Sequence, residues 1–380
     1  MSRNKWWAVA AVAAMTLAGA PAAAAEVGAL ACGDRSYQAE AVNNGGTWTA
    51  RNAGRTVYTG TDMRSAVQAA ISSLTAGRTY KQWVVVRGNG WVSTGSRISL
   101  PSYTGIDVCG TIDVSGSGSG DQAPIYSRGT REVEVGHLTV TGRPLYGIFM
   151  RNVENVVLGQ INMYLSAGLG VRIDNRGDTS VRSRNIRIDS VYVSGASSHA
   201  VETYGVDNIS IGTVTARNVG ESGLLLNDTI NATVSTVDAE NAGSGTGYAA
   251  FRTANRNGRI GNGYPTNIRV GTVKARGGGR GVFCVSESGG LTIDRVDLAN
   301  TGNNAVLIEN CHNVVLAAQS GTVSGGGELR LAARSEFPNN SDILVQNLSV
   351  TNSSVRESPC GNNTTFRNIQ LYNSSMNVCP

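Results

Sequence analysis

Lysine is almost missing from this 380-residue chain: Lys5, Lys81 and Lys274 stand against a combined Lys and Arg count of 32. Histidine is as scarce, at three, and aromatic residues make up only 6%. Charged residues account for 16%, and the net charge of +5 is mild and diffuse. No basic run is interleaved with aromatics, which argues against a nucleic-acid-binding stripe. After residue 25 nothing approaches 18 continuous apolar residues, so no membrane-spanning helix is expected. The cysteines are not spaced as a compact zinc site, and no dense aspartate cluster recurs on neighbouring repeats. No cofactor is expected, with calcium the one metal left open.

What is present begins with an export signal. Arg3 and Lys5 form a basic start, "WWAVAAVAAMTLAGA" an apolar run, and "AAAA" before Glu26 a small-residue cleavage site. Residues 1–25 therefore read as a signal peptide and the mature chain as a secreted, extracellular protein. All six cysteines lie beyond it, an even count that suggests disulfides in an exported chain. Cys284–Cys311 and Cys360–Cys379 are the expected local pairs, leaving Cys32–Cys109 to tie down the N-terminal region.

The rest of the chain is a repeat. "YGIFMRN", "LGVRIDN", "HAVETYG", "SGLLLND", "YAAFRTA", "RGVFCVS" and "NAVLIEN" recur at intervals of 23, 30, 23, 26, 32 and 24 residues. A second unit follows each of the first six: "VVLGQINM", "IRIDSVYV", "ISIGTVTA", "ATVSTVDA", "IRVGTVKA" and "LTIDRVDL". Apolar and polar residues alternate within the units, as strands with one buried face require. Gly, Asn, Asp and Ser sit at the joints, as turns require. A repeat this short cannot bury its apolar face alone, so successive copies must stack into one continuous core. The expected fold is all-β: a single right-handed parallel β-helix, a solenoid of short-strand coils. The amphipathic stretch "DMRSAVQAAISSL" (62–74) reads as a helix capping the N-terminal end. The expected divisions are an N-terminal cap and first coils over 26–110, a β-helix with the groove over 111–355, and a disulfide-closed C-terminal cap over 356–380.

The helix cap, the "CGTIDVSG" stretch and the coils resemble the pectin-lyase-like right-handed parallel β-helix superfamily over nearly all of the mature chain. That resemblance implies an extracellular protein that cuts or modifies polysaccharides, with non-enzymatic adhesins also in the superfamily. The chain carries no "NTD…DD…GHG…RIK" series, no "WIDH" and no "DPHD", so no catalytic residue is carried over from a specific family.

A candidate site comes instead from stacking the repeats, whose corresponding residues lie about 4.8 Å apart. The stretch "SSHAVETYGVD" (197–207) concentrates ionisable groups unusual for this chain. Outward columns read Phe149, Arg172, Glu202, Leu225, Phe251, Phe283 and Arg151, Asp174, Tyr204, Asn227, Thr253, Val285, Glu309. Tyr146, Leu169, His199, Ser222, Tyr248 and Arg280 align at the strand start. Two longer turns, 176–184 and 256–266, follow the same strand and are expected to wall a groove about 14 Å wide. Its catalytic candidates are His199, Glu202, Tyr204, Arg172 and Asp174. Asn175, Glu221, Asn227, Asp228, Tyr248, Arg252, Arg280 and Tyr146 are the substrate-binding candidates. Tyr146, Tyr248 and Phe251 are suited to stack on sugar faces. Arg252 falls in an inward column in this alignment. Each candidate also has a plain structural reading: a turn histidine, a solvated carboxylate, a packed tyrosine.

The favoured function is cleavage of an acidic, uronate-containing polysaccharide by β-elimination. Arg172 with Asn175 or Asn227 would neutralise the uronate carboxylate, His199 would remove the α-proton, and Tyr204 or Tyr248 would protonate the leaving oxygen. The alternative is an inverting, polygalacturonase-like hydrolase using paired carboxylates among Asp174, Glu202, Glu221 and Asp228. A reading from another class is a non-catalytic glycan-binding or adhesin β-helix. Neither nucleic acid nor membrane is an expected partner, and a monomer is expected.

Overall fold

The alternation of buried and polar residues resolves into a stack of parallel coils in a computed structural model that describes residues 30–380. Residues 1–25, read above as a signal peptide, lie outside the described residues. Cys32–Pro380 forms one compact unit. Each coil contributes a long strand to a 16-stranded sheet and a short strand to an 11-stranded sheet. Pairing between coils is parallel and in register, as in Val171↔Val201 and Val201↔Leu224. Strands paired on both sides and packed on an apolar interior show near-continuous burial, and Leu224–Asn227 is buried at all four positions.

The core is a set of ladders running along the stack. Val171, Val201, Leu224, Phe251 and Val282 form one, all at most 2% exposed, and Ile173, Thr203, Leu226, Thr253, Cys284 and Ile308 the next. Each fully buried Val, Leu or Ile contributes about 1.5–3 kcal/mol, so a column stabilises every coil it threads. Beside it runs a column of small residues that includes Gly170, Ala200, Gly223 and Ala250. There a Cβ on Gly170 would lie 2.3 Å from the Ala200 carbonyl oxygen.

The corners explain the asparagine-rich turns. Asn155, Asn185, Asn208 and Asn231 all hold φ between 51° and 64° at the start of the long strand. Asparagine tolerates that left-handed conformation better than most residues. The side chains also tie coils together: Asn185 Nδ2 donates to Asn155 Oδ1 at 2.9 Å and Asn208 Nδ2 to Asn185 Oδ1 at 2.8 Å.

At the N-terminal end the helix Met63–Ser72 is capped by Asp62, whose carboxylate accepts from the Ser65 N–H at 2.7 Å. It buries Met63, Ala66, Val67, Ala70 and Ile71 against the first coils. An antiparallel meander, Ala39–Asn44, Thr47–Asn52 and Arg55–Gly60, extends the long sheet there, an element the repeat pattern does not reveal. The three disulfides join the expected pairs, Cys32–Cys109, Cys284–Cys311 and Cys360–Cys379. At the other end Asn362–Tyr372 and Ser375–Asn377 continue both sheets as a further coil, which Cys360–Cys379 closes.

One coil departs from the sequence alignment. Leu225 pairs with Arg252 and Leu224 with Phe251, so Arg252 points outward and Phe251 is a fully buried core residue. Ala254 then takes the outward place expected for Thr253, and Ala249 the one expected for Tyr248. The turn "GSGTG" takes up one more residue than the repeat alignment allowed, and a one-residue slip exchanges the faces of a strand. Phe251 therefore cannot stack on a sugar, and Arg252 moves onto the candidate face.

Candidate active-site groove

The outer face of the short sheet is the floor. Loops 175–182, 255–266 and 333–340 leave it at the same corner of their coils. The last was not picked out from the repeat, because its coil is long through another insertion as well. Arg182 of the first loop donates to the carbonyl and, at 2.8 Å, to the carboxylate of Asp228. The third loop is pinned by Asn310 Nδ2, which donates to the carbonyls of Arg334, Phe337 and Pro338. Between them lies an open depression of about 470 Å³, lined by Tyr204, Asp228, Asn255, Arg256, Ser286 and Phe337.

On the floor itself, stacking brings Arg172, Asp174 and Glu202 together. Arg172 donates to Asp174 and Glu202 at 2.7 Å each, and Arg151 grips both oxygens of Asp174 and reaches Asp121 at 2.7 Å. Asn227 donates from Nδ2 to the other Glu202 oxygen at 3.1 Å and accepts at Oδ1 from Asn255 at 2.7 Å. Burial works to raise the Asp174 carboxyl, but the two arginines outweigh it and hold it below the usual carboxylate range. Burial likewise opposes the charge on Arg172, yet Glu202 and Asp174 raise its pKa on balance. Arg172 is thus spent on two carboxylates of its own protein and is not the group that neutralises a ligand. Arg151 and Asp121 belong to this network unanticipated, although Arg151 stood in the same sequence column as Asp174.

His199 is part of a second cluster. His199 Nδ1 accepts from the Ser222 N–H at 2.9 Å, which places the ring proton on Nε2, 3.0 Å from Glu221. Both nitrogens are engaged and the residue is 6% exposed, so no lone pair faces outward to remove a proton. Glu221 also accepts from Ser198. The His199 contact is the largest influence in lowering the Glu221 carboxyl to about 2, with Tyr248 a smaller one, and Glu221 is in turn the largest influence raising the Tyr248 phenol. Tyr248 stands edge-on to His199, with centroids 5.8 Å apart, and is half-buried.

Further along the same face Arg252 and Arg280 stand without acidic partners among the described residues, as does Arg330 two coils beyond Phe283. Arg252 makes no ion pair among the described residues, and its Nε is buried with no hydrogen-bond partner. Its guanidinium lies 6.0 Å from the Tyr248 ring and 5.3 Å from Phe283. Burial lowers its pKa, which Tyr248, Glu221 and Glu202 counter. Arg280 is 6% exposed, donates from Nε to Asn304 Oδ1 at 3.1 Å and lies 4.6 Å from the Phe283 ring, with Nη1 unpartnered.

The other candidates separate. Tyr146 is half-buried beside Phe149, with centroids 4.9 Å apart, and burial raises its phenol. Tyr204 sits at the rim under Arg176, and Asp228 is the partner of Arg182. Asn175 is 2% exposed and packs behind Gly205, where a Cβ would lie 2.2 Å from its Oδ1, so it is out of reach of a ligand. Only one close group of metal-ligating types occurs among the described residues, Cys32, Asp107 and His137, and its thiol is consumed in the disulfide to Cys109. No helix among those residues is long and apolar enough to cross a membrane.

Comparison with known proteins leaves the chain without a family: no family model matches it, and no curated protein does. Among solved structures, the A-module of the Azotobacter vinelandii mannuronan C-5 epimerase AlgE4 is similar, at 12% identity and a TM-score of 0.42, over 84% of this chain and 94% of that one. The A-module of the same organism's epimerase AlgE6 is similar at 13% identity and a TM-score of 0.36, over 84% and 96%.

Proposed function

We propose that the chain is a secreted enzyme that cleaves an acidic polysaccharide by β-elimination, with the substrate laid along the outer face of the short sheet. The observation that carries this reading is Arg252, a guanidinium with no carboxylate partner beside the Tyr248–Glu221 pair. Arg252, in place of Arg172, binds the uronate carboxylate and so acidifies the neighbouring C–H bond. Glu221, whose Oε1 is free of the contacts that His199 and Ser198 make to Oε2, takes that proton in place of His199. The C–H electron pair forms the new C=C bond, the adjacent C–O bond breaks, and the leaving oxygen takes the Tyr248 proton. The resulting phenolate recovers a proton from the neighbouring Glu221 carboxyl, a downhill step because the phenol is pushed up and the carboxyl down. Acid and base approach the substrate from the same side, so elimination is syn. His199 and Ser198 are positioning residues that hold Glu221 in place.

Hydrolysis is less well supported, because it needs one carboxyl kept protonated as a general acid. Asp174 and Glu221 are both pushed downward, and Asp174 is fully buried with both oxygens held. The test is incubation of the purified protein with acidic and neutral polysaccharides, following reducing ends together with the ultraviolet absorbance of an unsaturated uronide. Both signals should rise together, and Tyr248→Phe should lower the rate at least 100-fold while leaving substrate binding intact. Reducing ends without the absorbance would mean hydrolysis. Silence of both signals across the panel would leave a non-catalytic glycan-binding protein.

A further inference from the structure

Arg280 and Phe283 are not used by that chemistry, and their arrangement asks for a ligand. Most arginines clustered on this face have acidic partners: Arg151 and Arg172 with Asp174, Arg182 with Asp228, Arg256 with Glu287, and Arg334 with Glu309; Arg330, two coils beyond Phe283 in the same column, has none among the described residues. Arg280 instead has one neutral partner, Asn304, and an unpartnered buried Nη1. A buried charged donor left unpaired carries a desolvation cost that a bound anion removes. Arg280 and Arg252 also repel each other across one phenyl ring, Phe283, which both guanidinium groups contact. Glu309 is the nearest acidic influence on Arg280, yet its carboxylate is held by Arg334 at 2.7 Å.

We infer that Arg280, with Asn304 and the Phe283 ring, forms a second oxyanion subsite that takes the carboxylate or sulfate of a further sugar in the chain whose uronate sits at Arg252. This rests on the polysaccharide reading and narrows it: the substrate carries a negative charge on more than one sugar within reach of Phe283. Arg252 and Phe283 stand on successive coils of one column, about 4.8 Å apart at the backbone, and Arg280 lies at the start of the Phe283 strand. The axis of the bound chain therefore runs from Tyr248 toward the C-terminal coils. On the other side of Tyr248 the carboxylates of Asp174 and Glu202 are already occupied by arginine, and that half of the groove offers no free cation of this kind among the described residues.

Calorimetric titration of the Tyr248→Phe protein tests this with oligogalacturonates of one to six sugars and, separately, with chondroitin sulfate oligosaccharides. Affinity should rise at least tenfold once the oligomer is long enough to span both arginines. Arg280→Gln should abolish that rise without changing affinity for the single uronate, whereas Arg252→Gln should weaken every length. Asn304→Asp keeps the stability question separate, because it hands Arg280 an internal carboxylate. It should remove the same length dependence while melting at or above the parent temperature. Whichever series shows the rise identifies the anion as carboxylate or sulfate. If the parent gains affinity with length and both Arg280→Gln and Asn304→Asp gain it equally, the subsite is wrong and the function proposal stands. If the parent binds neither series, both proposals are overturned.

Discussion

His199 donates its ring proton to Glu221 and accepts the Ser222 N–H, so its removal strands one buried donor and loosens one carboxylate. His199→Ala should cost about 1–3 kcal/mol in stability, read from chemical denaturation. Arg172→Ala should cost more, about 3–5 kcal/mol, because it leaves Asp174 and Glu202 near each other with one cation fewer. Glu221 also makes a pH prediction. Its folded value near 2 is depressed below the unfolded 4.5, so its stabilisation is present above about pH 5 and is lost as pH falls toward 2. After allowance for solvent screening, the stability difference between parent and Glu221→Gln should shrink by about 1–2 kcal/mol across that window. The repeat pattern pointed to this neighbourhood through His199, Glu202 and Tyr204 on one short strand. It did not reveal which ionisable residues are consumed by one another, because an ion pair between coils joins residues far apart in sequence, such as Arg151 with Asp174 at 23 positions or Arg172 with Glu202 at 30.

At the scale of a strand, register decides what a residue can do. The pairs Val171↔Val201 and Val201↔Leu224 were legible because the repeats share length and pattern. Arg252 was misplaced because Ala249 and Ala250 are both small enough for the crowded corner, so either register satisfied the pattern. That corner supplies its own test. Gly170→Ala would put a Cβ 2.3 Å from the Ala200 carbonyl oxygen and 2.8 Å from Val193 Cγ2. The strand Leu169–Asp174 must then shift, with an expected loss of about 1–3 kcal/mol from overpacking. Because the same strand carries Arg172 and Asp174, the melting temperature should fall together with substrate affinity. Ala250, at the equivalent place one face over from Arg252, should tolerate Ala250→Gly with a smaller effect on both.

For the whole molecule, stability is a sum over coils and the contacts between neighbours, so its ends open more readily than its middle. The last coil pairs on one side only, and Leu371 and Tyr372 there are 38% and 53% exposed. Converting Cys360 and Cys379 to serine should raise amide exchange over 362–377 while leaving exchange across 199–227 unchanged. The same substitution at Cys284 and Cys311, a 27-residue loop inside the core, should lower global stability by about 3–4 kcal/mol. The asparagine corners carry one consequence for how such a chain can change over generations. Asn208 is fastened to Asn185 by a bond that depends on the coil beside it and on nothing farther away. A whole coil can therefore be duplicated or lost outside 121–340 by recombination within the gene without disturbing the groove. Length in this architecture is a freely heritable variable, while a shift of a single residue is not.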